Sequence, residues 1–519
     1  MPSSIIAYAI YAYKTYAVVA FAMQMVASAI IARVFAPDAP SMDGNATPNP
    51  GTRATQPPAG DNKLPIVYGT SFVGGSIVDM SITQNNQQIY YVIALSEVTN
   101  TETGGTPDNF TFGDIYYAGK KVIFDSVDLT KVVSLLDEST NLYDTTVNGK
   151  INIYLYRNGS SNPVNTANSA ITVMSASNLV YKWDNTKLMS NCVFAIVRLT
   201  YSVTANVRGL ESIKFKITNS RKAPGDCFLD YFTSTRYGAA LTTAQVDTAS
   251  LAALNTYSNQ TVVYTDYSGF PQTLTRFQFD GVLSPNNPIL SNIQLMATSC
   301  DCLVKYNEIT SQWGVIVQQP TYTVAMALDN TNIISGIDIS PVDISNSFNI
   351  AEVKFPDGSQ QDSFASVTYD LAVINPSLLY PNEPVNKQQI TLQLVNDNVR
   401  AQLLTNRFLE SCREDLQVQL TIDFSGIQLE AGDIVTVTSA SYGWVAKLFR
   451  VAKVTEKFGD DGSVTASLAL LEYNAAAYDD ANITQFTPAP NTGIGSPLTF
   501  GTIPAPVITS SQQIGRAHV

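Results

Sequence analysis

From Leu64 onward the chain is cut into short apolar runs closed by turn residues, and that segmentation constrains the fold more than any other feature. Ile66–Tyr68, Ile89–Leu95, Asp114–Tyr117, Val122–Phe124, Ile151–Tyr156 and Val193–Val197 carry the β-branched and aromatic residues of strands. Each is too short for a helix stable by itself. Gly74-Gly75, Ala118-Gly119-Lys120 and Asn158-Gly159 supply turn chemistry between them. Short strands in such a series predict an all-β sandwich or barrel over residues 64–224.

Past Pro224 the hydrophobic period changes. Phe228, Leu229 and Phe232 share one helical face, with Gly238 placed to supply a left-handed residue at the helix C-terminus. Asn286-Asn287-Pro288 predicts a capped helix start, followed by Ile289, Ile293, Met296 and Cys300 as an apolar stripe. Leu303–Tyr306 and Trp313–Val317 read as a hairpin about Asn307-Glu308. A further helix is expected from Asp397, with Ala401, Leu404, Phe408 and Cys412 inward and Arg400, Arg407, Glu410 and Glu414 outward. Val418, Leu420, Ile422 and Phe424 then alternate with polar residues as a half-buried strand. Ile434–Val437, Leu448–Val454 and Val464–Leu470 continue a sheet, with turns at Gly432-Asp433 and Gly459-Asp460-Asp461-Gly462. The expected fold class is mainly β with an α+β second half over residues 225–480.

The ends differ in kind. Residues 1–36 form an apolar segment, in which Ile5–Ala36 holds two charges, Lys14 and Arg33. The 18 residues Thr15–Ala32 between them approach the length that crosses a ~30 Å hydrocarbon layer. Three readings stay open: a signal peptide cut after Val34-Phe35-Ala36, a membrane helix, or a helix packing with copies of itself through Ser28 and Ala32. Residues 37–63 are a Pro/Gly-rich linker, and residues 481–513 are linker-like again. ATC-GGA-AGA-GCA-CAC-GTC, the start of a common sequencing adapter, encodes Ile514–Val519. The expectation is therefore that the natural sequence departs after Gln513 and that C-terminal modules are missing; an ordinary polar tail is the alternative.

Composition limits the chemistry. His518 is the only histidine, so Ser/His or Cys/His catalysis and multi-histidine metal sites lack their imidazoles. The 30 Lys+Arg against 43 Asp+Glu, with no basic run, argue against a nucleic-acid grip. Cys192, Cys227, Cys300, Cys302 and Cys412 are too scattered for a zinc site, and Cys300-Asp301-Cys302 reads as two core thiols. The loop at Gly459–Ser463 lacks the ligand series of a calcium site. No phosphate-cradling loop or nucleophile elbow is present, and no cofactor or metal is expected. A pair of carboxylates brought together from distant positions stays open, as in a glycan-degrading enzyme, but nothing marks a particular pair.

Leu64-Pro65-Ile66-Val67-Tyr68-Gly69 followed by Val73-Gly74-Gly75 resembles the opening of the tip attachment protein J family, the central tail hubs of long-tailed bacteriophages. The resemblance continues through Cys227–Gly238, ending Arg236-Tyr237-Gly238, then the helix at 286–300 and the Trp313 hairpin ending Val317-Gln318-Gln319-Pro320. It runs on through Phe348-Asn349-Ile350-Ala351-Glu352-Val353, the helix at 397–414, and Glu430-Ala431-Gly432-Asp433-Ile434-Val435, where the family usually has Pro-Gly-Asp. It spans roughly residues 64–480. It implies a virion structural protein without enzymatic activity: a homotrimer of β-barrel-like domains closing the tail tube at its tip. Distal tail, tail-tip and tape-measure proteins would be its partners, and missing C-terminal modules would meet the host receptor. Arg236, Tyr237 and Gly238 would be a helix terminus, an aromatic anchor and a positive-φ residue, with Asn349, Gly432 and Asp433 as further structural positions. In a trimer the apolar segment 5–36 would lie near the axis or contact the host membrane. A secreted or surface-anchored bacterial β-rich adhesin is the alternative reading.

Overall fold

The computed structural model describes residues 55, 63–102, 105–307, 310–341, 347–414, 416–458, 462–480 and 483–485. The apolar segment 5–36, nearly all of the linker, the turn at 459–461 and the chain after Gln485 lie outside the described residues.

The first half is a sandwich of two open sheets. One has the order Gly281–Leu283, Ile66–Tyr68, Gln88–Glu97, Cys192–Thr200, Ile151–Tyr156, with Ser76–Ile82 also paired to Gln88–Glu97. The other runs Thr70–Val73, Ile213–Asn219, Phe110–Tyr117, Lys120–Phe124, Val132–Asp137, Leu142–Asp144. Ile93, Ile153 and Val197 of the first sheet meet Ile115, Phe215 and Ile217 of the second. The first sheet is covered on its back as well: Tyr90, Tyr156 and Phe194 pack under Trp183 and helix α1, Ala170–Met174. Burial on both faces explains why Val193–Val197 is a continuous apolar run and why Ile151–Tyr156 is buried at every position, Asn152 included. Ala118 and Gly119, with φ of 50° and 78°, make the primed hairpin turn their sequence predicts.

The second half mixes layers. Helices α2 (Pro224–Thr233), α3 (Thr248–Ser258), α4 (Ile289–Thr298), α5 (Leu371–Ile374) and α6 (Asn398–Ser411) pack with the hairpin Cys302–Asn307/Gln312–Val317. They share one core with a three-stranded sheet of Ser363–Asp370, Ile350–Asp357 and Lys387–Thr391. Asp397 starts α6 by accepting from the Val399 and Arg400 amides, both at 3.0 Å. A six-stranded sheet follows, ordered Val324–Leu328, Ile434–Ser439, Trp444–Phe458, Val464–Glu472, Leu416–Ile422, Asp338–Pro341. It curls over Val418, Val437, Phe449 and Leu468, but its end strands do not pair, so among the described residues no barrel closes. No described helix is long and apolar enough to cross a membrane.

Four local expectations change. Gly238 does not have positive φ; α2 ends at Thr233, with Ser234 extended as its cap. Pro288 itself is the cap of α4 and has no side-chain acceptor to offer, while Asn287 Nδ2 donates to Asn292 Oδ1 at 3.1 Å and Ile289 is 44% exposed. The strand after α6 stops at Ile422, and Phe424 opens a short 3₁₀ turn with its ring exposed. Arg400 and Arg407, read as outward, are both buried.

Candidate functional site

The expected motif residues do not converge on one cleft; they sit at three separate joints. At the first, Tyr237 and Tyr68 hydroxyls donate to Asp230 Oδ2 at 2.9 and 2.7 Å, and the Asn100 amide donates to Oδ1 at 2.7 Å. The joint ties α2 to the first sheet of the sandwich. Burial pushes the Asp230 carboxyl above its ordinary range, and the three donors only partly oppose that. Arg236 pairs with Glu97 at 2.5 Å, linking the segment after α2 to the end of Gln88–Glu97. Gly238 is needed for close approach: a Cβ there would lie 1.9 Å from the Tyr231 carbonyl oxygen. That oxygen accepts from the Ala239 amide at 2.9 Å, so the chain folds back tightly over the helix end.

At the second joint, Asn349 Nδ2 donates to Glu383 Oε1 at 2.7 Å and to the Pro384 carbonyl at 2.9 Å. Its own Oδ1 accepts from the Asn386 amide at 2.8 Å. Arg413, just past α6, clasps both Glu383 oxygens at 2.8 and 3.0 Å. Burial alone would raise the Glu383 pKa, but Arg413 and the amide donors hold it below the usual carboxylate range.

The third joint is the turn before Ile434–Ser439. Gly432 has φ of 102°, a conformation that demands glycine, and a Cβ there would also displace the Ile316 side-chain tip, 2.2 Å away at Cδ1. Asp433 Oδ2 accepts from the Glu430 amide at 2.8 Å, closing the turn. Burial raises the Asp433 pKa.

Sequence reading missed a charged site in the interior of the described residues. Arg407 of α6 reaches Asp480 in bidentate fashion, Nε to Oδ1 and Nη2 to Oδ2, each at 2.6 Å. Its Nη1 donates to Asp301 Oδ2 at 2.9 Å and its Nη2 to Tyr257 Oη at 2.6 Å. Arg276 adds a second contact to Asp480 at 2.9 Å while lying 4.2 Å over the Tyr257 ring. Gln318 extends the network, donating to Asp301 at 2.9 Å and accepting from Arg450 at 2.8 Å and from Tyr478 at 2.9 Å. Burial opposes the Arg407 charge, but the Asp480 and Asp301 carboxylates more than offset it and raise its pKa. Six segments meet here: α3, the Arg276 stretch after Pro271–Thr275, the hairpin Cys302–Val317 with Asp301 and Gln318 flanking it, α6, the strand Trp444–Phe458 and the stretch 475–480.

These groups are arranged to hold the fold. Asp480 gives both oxygens to guanidinium groups, and Asp230 gives its two to hydroxyl and amide donors. The Cys300 and Cys302 sulfurs are buried 3.5 Å apart, with Asp301 between them at φ of 48°. Among the described residues no group of three or more Cys, His, Asp and Glu is placed to hold a metal ion. An open cavity of about 380 Å³ is lined by Thr261–Thr265, Arg276, Asp479, Asp480 and Ile483.

Comparison with protein-family models and with curated protein sequences finds no match. Among solved structures, the chain is similar to one from the virion of a native gene transfer agent particle. The TM-score is 0.52 at 10% identity, over 84% of this chain and 89% of that one. It is also similar to a tail protein of Neisseria meningitidis MC58, at 14% identity over 54% of this chain and 79% of that one, with a TM-score of 0.30. The 43 kDa tail protein of prophage MuSo2 from Shewanella oneidensis matches at 10% identity over 79% and 95%, with a TM-score of 0.27. Scores of 0.30 and 0.27 carry no weight for the fold, whereas the first match extends over 84% of the chain. The chain therefore shares the fold of a gene transfer agent virion component.

Proposed function

We propose that this chain is a structural component of a phage-type tail: the central hub at the tail tip, acting as a homotrimer. The observation that carries the proposal is the fold shared with a virion component over 84% of the chain. The ordered motifs ending Arg236-Tyr237-Gly238 and Glu430–Val435 support the hub assignment by resemblance. In this reading the protein performs no catalytic step. Distal tail, tail-tip and tape-measure proteins are its partners. The net charge of −13 keeps a DNA-conducting channel from gripping its cargo. The segment 5–36 bundles at the threefold axis or enters a host membrane.

Purified particles test this directly. Quantitative mass spectrometry should count three copies per tail, and averaged particle images should place them at the tip with threefold symmetry. Absence of the chain from purified particles overturns the tail assignment. A ring of another order, or a position along the shaft, overturns the hub assignment alone. Vesicle partitioning of a 1–40 peptide separates the two roles of the apolar segment.

A further inference from the structure

Between Ser363–Asp370 and Lys387–Thr391 the chain makes a long excursion, residues 371–386, built from α5 and the 3₁₀ turn Pro376–Leu378. Its two ends are fixed close together: Asp370 and Lys387 pair with Ile350 from opposite sides, about 10 Å apart at two strand spacings. That is the form of an Ω-loop, a class of loop that is frequently functional. Polar contacts hold the excursion against α6. Asn375 Nδ2 donates to Glu410 Oε1 at 3.2 Å, and the Arg413 guanidinium clasps Glu383 while lying 5.4 Å over the Tyr380 ring. Glu383 also orders the excursion itself, its Oε2 accepting from the Tyr380 amide at 3.0 Å. Apolar anchoring is thin. Leu371 is buried and Ile374, Leu378 and Leu379 are partly buried, whereas Val373 and Val385 are 82% and 76% exposed.

The helix face that the excursion lies on is poorly satisfied. Gln402, Asn406, Glu410 and Arg413 recur at i, i+4, i+8 and i+11, one stripe along α6 and just past its end. The last two are the residues that grip the excursion. Gln402 and Asn406 are 8% and 9% exposed, yet Gln402 Oε1 and Asn406 Oδ1 find no hydrogen-bond donor among the described residues. A buried polar group without a partner has given up its hydration for nothing. The closed arrangement therefore carries a penalty that is relieved when water reaches the stripe.

We propose that residues 371–386 are a hinged strap that opens from α6 as one unit, latched by the Glu383–Arg413 pair and eased open by rehydration of Gln402 and Asn406. Few buried apolar contacts put such a segment at the low end of local stability. Because both ends sit beside Ile350, the strap swings while its three-stranded sheet stays paired. The inference concerns the isolated chain and stands or falls apart from the tail assignment.

Peptide-resolved amide exchange on the full chain tests it. Residues 371–386 should exchange together, faster than Ile350–Asp357 and α6. Arg413→Met should speed that exchange about tenfold or more, with Ile350–Asp357 unchanged. Gln402→Met and Asn406→Leu should do the reverse, each slowing it about tenfold by removing an unpaired polar group from the closed state. Unchanged or faster exchange in both apolar variants overturns the proposal, as does an Arg413→Met effect that is equally large in Ile350–Asp357. A thiol beneath the strap reads the same motion. Asn406→Cys should react with a maleimide at neutral pH, and faster when combined with Arg413→Met, while the buried native Cys412 stays silent. Labelling of Asn406→Cys no faster than that of Cys412 also overturns the proposal.

Discussion

Replacing Arg407 by Met should loosen the second half of the protein more than any surface charge change. Arg407 and Asp480 side chains are 3% and 2% exposed, so the substitution leaves a carboxylate in an interior that solvent does not reach. Removing one partner of a buried ion pair costs about 3–5 kcal/mol. Here Asp480 keeps Arg276 at 2.9 Å and Asp301 keeps the Gln318 amide at 2.9 Å, so the lower end, about 3 kcal/mol, applies. Arg407→Lys should fall between, because one ammonium cannot span both Asp480 oxygens and Asp301 together. Lys121→Met, at a half-exposed pair with Asp114, is the control and should cost under about 1 kcal/mol. A chain of several layers need not unfold in one step, so the assay is peptide-resolved amide exchange along a urea series. Protection should fall first in α3, α6 and Ala475–Thr484, the elements that Arg407 joins. If Arg407→Met stays within about 1 kcal/mol of the parent in these peptides, the network is not what holds them.

Gly238→Ala places a Cβ where the Tyr231 carbonyl already sits, 1.9 Å away, so the fold-back must shift. The expected loss is about 2 kcal/mol by urea titration, and a loss under about 0.5 kcal/mol contradicts the close-approach argument. Asp230 has a folded-state pKa raised by burial, so its contribution is fully present below the ordinary carboxylate pKa and is lost as pH rises through the folded value. The stability difference between the parent and Asp230→Asn should therefore shift against the parent as pH rises above the ordinary carboxylate pKa of about 3.9; a flat or opposite trend refutes it. All five cysteines are buried, and burial pushes the Cys412 thiol up to about 12. The native chain should be silent to a thiol reagent at neutral pH and should yield five equivalents only in denaturant.

The sequence announced what local chemistry decides. Ile151–Tyr156 appears as a strand with the expected bounds, and Asp397 caps α6 as its position before the helical period suggests. Arg407 escaped because a polar residue on a helix is read as solvent-facing, while its counter-charges lie 73 and 106 positions away. A warning was present nonetheless. Val399, Leu403 and Leu409 are apolar on faces other than that of Ala401, Leu404 and Phe408, leaving α6 little room for a wet side. Gly238 failed differently: a glycine after a helix has two uses, and only the Tyr231 carbonyl overhead tells close approach from a left-handed turn. The joint at Asn349 was legible as a position but not as a partnership, since Glu383 and Arg413 have no periodic relation to it.

The pairing of Ile66–Tyr68 with Gly281–Leu283 has a consequence for biogenesis. The first sheet of the sandwich receives the end strand Gly281–Leu283 only when translation has passed Leu283 and that stretch has cleared the ribosome. Until then Ile66–Tyr68 offers an unsatisfied edge to any passing strand, including that of a neighbouring nascent copy. Synthesis at about 5–20 residues per second leaves that window open for on the order of ten seconds or longer. Chaperone dependence should accordingly concentrate in this interval, and fragments ending before Gly281 should aggregate where longer ones stay dispersed.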